Sequence, residues 1–304
     1  MTIQAPNWYR EIIRSQVRAR YQSMGGYLDG TMSRGDGGAG TIKFPRIGRV
    51  DSYELLGSIQ DVPATNPDMD TISVSVRDFE ASAWMRVQDA RRQGPNEQAA
   101  VAKMLYGAIR RRRDNLKLEA LQAFAGTTSA TGMVGDGSAV IDILDILEAK
   151  DQILGSGAED DVWWVIPHAW FSQLMMYDEF ADADYVGPDL PFKMSSKIRK
   201  KTWLDMQILG IPDEHHIYGT GAWGTGGDGD YDTSGYTDTF MWAADAVGFE
   251  MEWDQESMSL SSHPEKEGTP MLGKVGLSGA AVGILPEGVK RLRMKSVKRP
   301  ARPT

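Results

Sequence analysis

Three groups of residues in this 304-residue chain have types and spacing that could do chemistry. Gly219, Gly221 and Gly224 in GTGAWG match G-x-G-x-x-G, a turn that lets a backbone approach a pyrophosphate. That use requires a helix N-terminus directly afterwards, aiming N–H groups at the phosphates. The chain continues instead as TGGDGDYDTSG, which is too rich in glycine for a helix and repels phosphate. Asp228, Asp230 and Asp232 alternate as in a calcium loop, but its sixth and twelfth places hold Thr233 and Thr239 where glycine and glutamate belong. A solvated surface loop over 228–232 is the better reading than a cation site. The histidines are His168, His215, His216 and His263. Neighbours such as His215 and His216 point to different faces of a helix or strand, and no further ligands recur at metal-site spacing.

Several chemistries are excluded outright. There is no cysteine, hence no disulfide, thiolate zinc site, iron–sulfur cluster or cysteine nucleophile. No G-x-S-x-G, P-loop or H-E-x-x-H occurs. No catalytic, cofactor-binding or metal residue is nominated, no cofactor is expected, and the chain reads as a non-enzyme. Arg110 to Arg113 form the sharpest charge cluster. Four consecutive arginines wrap most of a helix circumference, so they cannot form one DNA-facing stripe. Arg110 can pair with Asp114 at i+4. The pattern favours intersubunit or intrahelical salt links, with one or two arginines left for nucleic acid.

Charge is unevenly placed. The formal net charge is −9, yet residues 1–50 carry +5 and residues 290–304 carry +7. Basic ends on an acidic body suit contact with a polyanion or an acidic neighbour. A protein gripping DNA over a broad face would be basic overall. No apolar run approaches the roughly 20 residues of a membrane helix, and MTIQAPNWYR lacks the apolar core of a secretory signal, which points to the cytoplasm.

The elements follow from periodicity. Residues 7–22 read as a short basic helix with Asn7 as N-cap, stopped at Gly25-Gly26. Its apolar stripe is too small to be stable undocked. After the glycine-rich linker 32–40, TIKFPRIGRV at 41–50 and the alternating Ile72, Val74 and Val76 read as two strands of a long antiparallel hairpin. The intervening residues can form little core, and a two-stranded ribbon is marginal alone, so the hairpin needs a second surface. Residues 95–125 form the clearest helix, opened by Pro95 and ended by Gly126. A second helix is expected over 140–154, with Val140, Ile143, Leu144, Leu147 and Leu154 on one side. DVWWVIP at 161–167 reads as a buried strand, 168–177 as a helix, 202–212 as strand and turn, 240–254 as a strand interrupted by a turn, and 275–297 as ending in a strand. Mixed order without regular alternation gives an α+β class.

The run GTIKFPRIGRV, a polar tip, ISVSVRDFEASAWMRVQDA and the long helix from Pro95 together resemble the major capsid proteins of tailed bacteriophages with the HK97-type fold. VWWVIPHAWFSQLMMYDEFADADYVG is similar to the strand, helix and loop of that family's axial domain. TFMWAADAVGFEMEWD, followed by GAAVGILPEGVKRLRMK, is similar to its closing segment. The likeness spans about 40–297 and rests on element order rather than on one motif.

The resemblance implies an α+β, HK97-like fold divided as follows. Residues 1–40 would be an N-terminal arm, and 41–76 the extended loop hairpin with its flanking strands, lying over a neighbouring subunit. Residues 77–154 would be a peripheral domain with a spine helix over 95–125, and 155–275 an axial domain. Residues 276–304 would return as a strand to the peripheral domain and end in a basic tail. It implies self-assembly as hexamers and pentamers into an icosahedral shell around double-stranded DNA, touched non-specifically at the inner face, with a portal, a decoration protein as a further partner, and no membrane. The locations implied are the virion and, during assembly, the host cytoplasm. No lysine lies between Lys43 and Lys103, so the lysine–asparagine crosslink of some relatives is not expected. About 40 residues precede the first strand, implying a separate scaffolding protein. An encapsulin-like cargo compartment or a gene transfer agent shell would share this fold, and a nucleotide-binding enzyme is the reading from another class.

Overall fold

The computed structural model describes residues 23–48, 52, 67–85, 95–128, 131–181, 199–218, 222–223, 235–255, 258–268 and 270–296. The expected helix over 7–22, the hairpin tip, the acidic loop with Asp228, Asp230 and Asp232, the glycines of GTGAWG and residues 297–304 lie outside the described residues.

The long helix α1 runs Pro95–Phe124, 30 residues, about 45 Å at 1.5 Å per residue. Leu105, Ile109 and Leu116 pack against Val275 and Leu277 in one core, while Leu118 and Leu121 enter a second, larger core. One rod therefore forms a wall of both cores.

Residues 36–75 form the hairpin sheet: β1 (Asp36–Gly38), β2 (Thr41–Ile47) and β3 (Met69–Ser75), with Thr41 opposite Ser75 and Ile47 opposite Met69. The expected antiparallel hairpin is present. Its root is buried, Ile42 and Phe44 packing on Ala280 and Ile284. Gly248 makes this seat: a Cβ there would stand 2.1 Å from the Phe44 ring. At the outer limit of its described strands Ile47 and Met69 are 68% and 74% exposed.

Strand β4 (Arg77–Met85) alternates as its sequence does, with Phe79, Ala81 and Ala83 turned to α1 and Asp78, Glu80, Ser82 and Trp84 turned to solvent. Beyond α1, the short β5 (Met133–Val134) leads to α2 (Ile143–Leu154). Asp142 caps α2, accepting from the Ile143 N–H, while Asp145 accepts from the Asp142 N–H. This box fixes the phase of the helix. Ile143, Ile146, Ala149 and Ile153 face inward. The expected apolar side holds at Ile143 and Leu147, which pack on the core, and fails at Val140, which precedes the helix, and at Leu144 and Leu154, all three exposed.

The chain continues through β6 (Val162–Pro167), α3 (His168–Leu174), α4 (Asp178–Ala181), β7 (Arg199–Trp203), β8 (Met206–Ile211), β9 (Ile217–Tyr218) and β10 (Ala222–Trp223). It closes with β11 (Tyr236–Ala243), β12 (Val247–Asp254), β13 (Ser259–Ser262), β14 (Met271–Gly283) and β15 (Val289–Lys295). An eight-stranded sheet takes β5 to β11 and β15, with β6 and β8 parallel. The fully buried Trp164, Trp170, Trp242 and Phe240 fill its core. A four-stranded sheet has β14 between β4 on one side and β12 and β13 on the other.

The chain passes between these sheets three times, first through α1 from β4 to β5 and then by two short links. Residues 244–246 link β11 to β12, and 286–288 link β14 to β15, each by one 3₁₀ turn. The two links are joined, because Ile284 and Leu285 both donate to the Ala246 carbonyl at 2.8 and 3.1 Å. Strands β12 and β13 share the sheet packed on α1, and β15 lies in the other.

Candidate functional site

The four arginines expected to wrap α1 do so, and each has its own neighbourhood. Arg111 donates to the Ser23 carbonyl at 2.6 Å. Arg112 pairs with Glu119 at 2.8 Å. Arg113 bonds Asp29 and stands 3.8 Å from Asp254. Arg110 does not pair with Asp114. Asp114 turns inward, is buried, and accepts the Tyr27 and Leu28 N–H groups at 3.0 and 3.3 Å. One turn on, buried Lys117 donates to the Leu28 carbonyl at 2.8 Å and to Asp29 at 2.9 Å. Burial pushes the Asp114 carboxyl up and the Lys117 ammonium down, and the charges near them oppose both shifts. The spine helix thereby clasps residues 23–29 by their backbone. Farther along, Trp242 Nε1 donates to the Thr31 carbonyl at 3.0 Å. Ser33 donates to Val247 and accepts from the Phe249 N–H. A sequence reading misses this clasp because its acceptors and donors are main-chain groups 86–89 residues away.

A second charged knot joins the last strand to the eight-stranded sheet. Arg293 grips buried Asp238 with two bonds of 2.7 and 2.8 Å, and Arg291 stands 3.5 Å from the same carboxylate. Two cations of the basic C-terminal stretch are thus consumed inside the fold. Lys290, Arg291, Arg293 and Lys295 all lie within β15, so only its exposed members could meet a polyanion.

His168, His215 and His216 lie near one another, and His263 stands apart. His263 is on the surface with Ser261 at 3.1 Å and Glu265 at 2.5 Å, and it packs edge-on against Trp84. This order, hydroxyl–imidazole–carboxylate, mimics a nucleophile relay. It lies on an exposed strand and turn with Ser261 and Glu265 open to solvent, and nothing there shapes a substrate cleft or an oxyanion hole. His215 is buried between Ser23 Oγ at 2.8 Å and Asn115 Oδ1 at 3.0 Å. Burial lowers its affinity for a proton, although Asp114 and Glu214 pull the other way. His216 is pushed down to about 3 by burial, with His215 and His168 adding to the effect, and is held to the backbone of Ile166 and Ile211.

A pH dependence follows. The unfolded chain protonates these imidazoles near their ordinary pKa of about 6.5, whereas folded His216 resists until about 3. Its contribution is intact above 6.5 and is lost as pH falls between those values. The expected slope is about 1.4 kcal/mol per pH unit for one proton. Urea unfolding at pH 7.5, 5.5 and 4.5 should show this decline, and His216→Gln should flatten it. An unchanged slope in that variant would refute the assignment.

Among the described residues no group of three or more His, Asp or Glu could hold a metal ion, and no helix is long and apolar enough to cross a membrane. What the described surface does present is exposed apolar area. Trp84 and Trp253 are about half exposed on the four-stranded sheet, and Ile47 and Met69 are exposed on the hairpin strands. Such a surface suits contact with other copies better than turnover of a small molecule.

A family model described as phage capsid protein matches residues 5–296, and the chain belongs to that family. Solved structures share its fold. The capsid of Ralstonia phage GP4 is 12% identical, with a TM-score of 0.61 over 95% of this chain and 97% of that one. The capsid of a native GTA particle is 12% identical, with a TM-score of 0.62 over 93% and 94%. A Mycobacterium phage Adephagia structure is 11% identical, with a TM-score of 0.58 over 97% and 99%. No curated protein matches the sequence. The α+β, HK97-type capsid fold implied by the element order is the fold observed. The protein is a major capsid protein, a structural component of a virion that assembles with copies of itself.

Proposed function

We propose that copies of this chain close as hexamers and pentamers into an icosahedral shell around packaged double-stranded DNA. The observation that carries this reading is the hairpin, whose root is built into the fold by Phe44 while Ile47 and Met69, farther out on its strands, are exposed. A ribbon so placed finds stability on an adjacent copy, and head-to-tail contacts of that kind generate rings. In this reading residues 1–40 are the arm, 41–76 the extended loop, 77–154 the peripheral domain, and 155–275 the axial domain around the capsomer axes, with 276–304 as the return strand and basic tail. The acidic body limits adhesion to DNA that must later leave, and the basic ends soften repulsion at the inner face. A separate scaffolding protein, a portal and a decoration protein complete the set of partners, with assembly in the host cytoplasm. The likeness to the GTA particle capsid favours a gene transfer agent shell as the second reading.

The test is recovery of native particles from producing cells by sedimentation, followed by electron microscopy and extraction of nuclease-protected DNA. Uniform polyhedral shells with this chain as the main protein, holding DNA, are expected. Genome-length phage DNA and short host fragments separate the two readings, and protein cargo without DNA would indicate a storage compartment. Finding the chain only as a slowly sedimenting monomer would overturn all three.

A further inference from the structure

A second hydroxyl–imidazole relay is buried beside the spine helix, at Ser23. Ser23 Oγ stands 2.8 Å from His215 Nε2, and His215 Nδ1 stands 3.0 Å from Asn115 Oδ1. An amide oxygen only accepts, so Nδ1 carries the proton and Nε2 turns its lone pair to the hydroxyl. This is the tautomer of a general base facing a nucleophile. Ser23 and His215 are 7% and 2% exposed, and burial disfavours the imidazolium. The Gly25 N–H donates to Oγ at 3.2 Å and the Tyr27 hydroxyl stands 3.3 Å from it, so the oxygen is fixed in place.

The surface group Ser261–His263–Glu265 has no substrate cleft, but this relay is attached to a substrate. The carbonyl carbon of Gln22 is bonded to the Ser23 nitrogen, and attack on it by Oγ closes a five-membered ring. The leaving nitrogen is engaged as well. Its N–H donates to Glu214 Oε1 at 3.0 Å, and the same oxygen stands 3.6 Å from His215 Nε2. The carboxylate therefore lies between the base and the nitrogen that must receive a proton. Arg111 holds the Ser23 carbonyl at 2.6 Å. An anchor for the chain needs a donor and an acceptor; it needs neither this order of groups nor this tautomer.

We propose that the chain cuts its own peptide bond between Gln22 and Ser23. His215 Nε2 takes the Oγ proton as Oγ attacks the Gln22 carbonyl carbon. The C–N bond breaks, and the proton passes by way of Glu214 to the departing nitrogen, leaving an ester between Gln22 and Ser23 Oγ. Water, losing a proton to His215, then adds to the ester carbonyl. The ester bond breaks, the proton returns to Ser23 Oγ, and Gln22 leaves as a carboxylate. One water is consumed per bond cut. Ser23, His215 and Glu214 touch the reacting atoms, whereas Asn115 and Arg111 are positioning residues. All five belong to one chain, so the inference goes beyond the shell reading and does not need it. The body is built to survive the cut. Asp114 and Lys117 hold residues 27–29, and the chain crosses the spine helix so closely that a Cβ at Gly25 would stand 2.4 Å from the Arg110 carbonyl carbon. The new terminus stays on the helix, and residues 1–22, with four arginines against one acid, are released.

The test follows the purified full-length chain by intact-mass spectrometry at pH 7.5 in the presence of protease inhibitors. A product beginning at Ser23 is expected, formed at a rate independent of protein concentration. Hydroxylamine intercepts an ester, so it should speed the cut and leave a hydroxamate on Gln22. Ser23→Ala should abolish the cut, and His215→Gln should slow it on the order of a hundredfold. Asn115→Leu should slow it, and Asn115→Asp, which keeps an acceptor for Nδ1, should restore it. Circular dichroism identifies the variants that fold, and the hydroxylamine result on the wild-type chain decides the matter if none does. A wild-type chain that stays whole with and without hydroxylamine, a cut at another bond, or undiminished cutting in folded Ser23→Ala would each overturn the assignment.

Discussion

Asp114→Ala is expected to lower the unfolding free energy by about 2–5 kcal/mol, the cost of leaving two buried main-chain donors without their acceptor. The carboxylate is almost fully buried and serves three groups. It holds the N–H groups of Tyr27 and Leu28 and faces the Lys117 ammonium. Alanine leaves two main-chain donors without acceptors and weakens the field that keeps Lys117 charged. Residues 23–29 should then lift from the spine helix. Asp114→Asn keeps a carbonyl acceptor and loses the charge, so about 1–2 kcal/mol is expected. Urea denaturation with an unchanged slope is the measurement. A fall below 1 kcal/mol for the alanine variant would mean that the clasp does not anchor the segment.

The second large effect is on assembly and leaves the fold intact. Gly48 donates to the Asp68 carbonyl at 2.7 Å, so β2 and β3 are already in register where the hairpin leaves the body. Replacing residues 49–67 by Asn-Gly, a two-residue turn suited to the strand twist, should close a short hairpin. Phe44 and Ile42 would keep their seat on Ala280 and Ile284. The thermal midpoint is expected to stay within about 1.5 °C, which corresponds to about 1 kcal/mol for a chain of this size. Particle formation is expected to disappear, as read by sedimentation and electron microscopy. Particles at wild-type yield would show that the ribbon is dispensable, and the shell reading would lose its main physical support.

Sequence patterning revealed these features unevenly. Alternation exposed Ile72, Val74 and Val76 as strand residues, and Pro95 and Gly126 bracketed the spine helix, because such signals are local. The phase of α2 was legible only in part because Leu144 looks apolar in a pattern, whereas the Asp142–Asp145 box decides where the first turn begins. The Arg110–Asp114 pair was a fair inference from i+4 spacing. It failed because Asp114 gains more from two distant backbone donors than from an exposed guanidinium. Likewise the partners of Arg291 and Arg293 could not be read from a basic run, since Asp238 lies more than fifty residues earlier. The clasp and the Asp238 knot are both made by long-range contacts, which periodicity does not encode. The family likeness, carried by element order, was legible early.

The two short links between the sheets have a mechanical consequence. The links at 244–246 and 286–288 lean on each other through the Ala246 carbonyl, and α1 borders both cores. Pulling one layer from the other would have to break both straps at once while shearing the rod they share. The unit therefore behaves as a stiff plate. In the shell proposed above, an outward load would then be met by yielding along the joints between plates, so that resistance to bursting would be set by the seams.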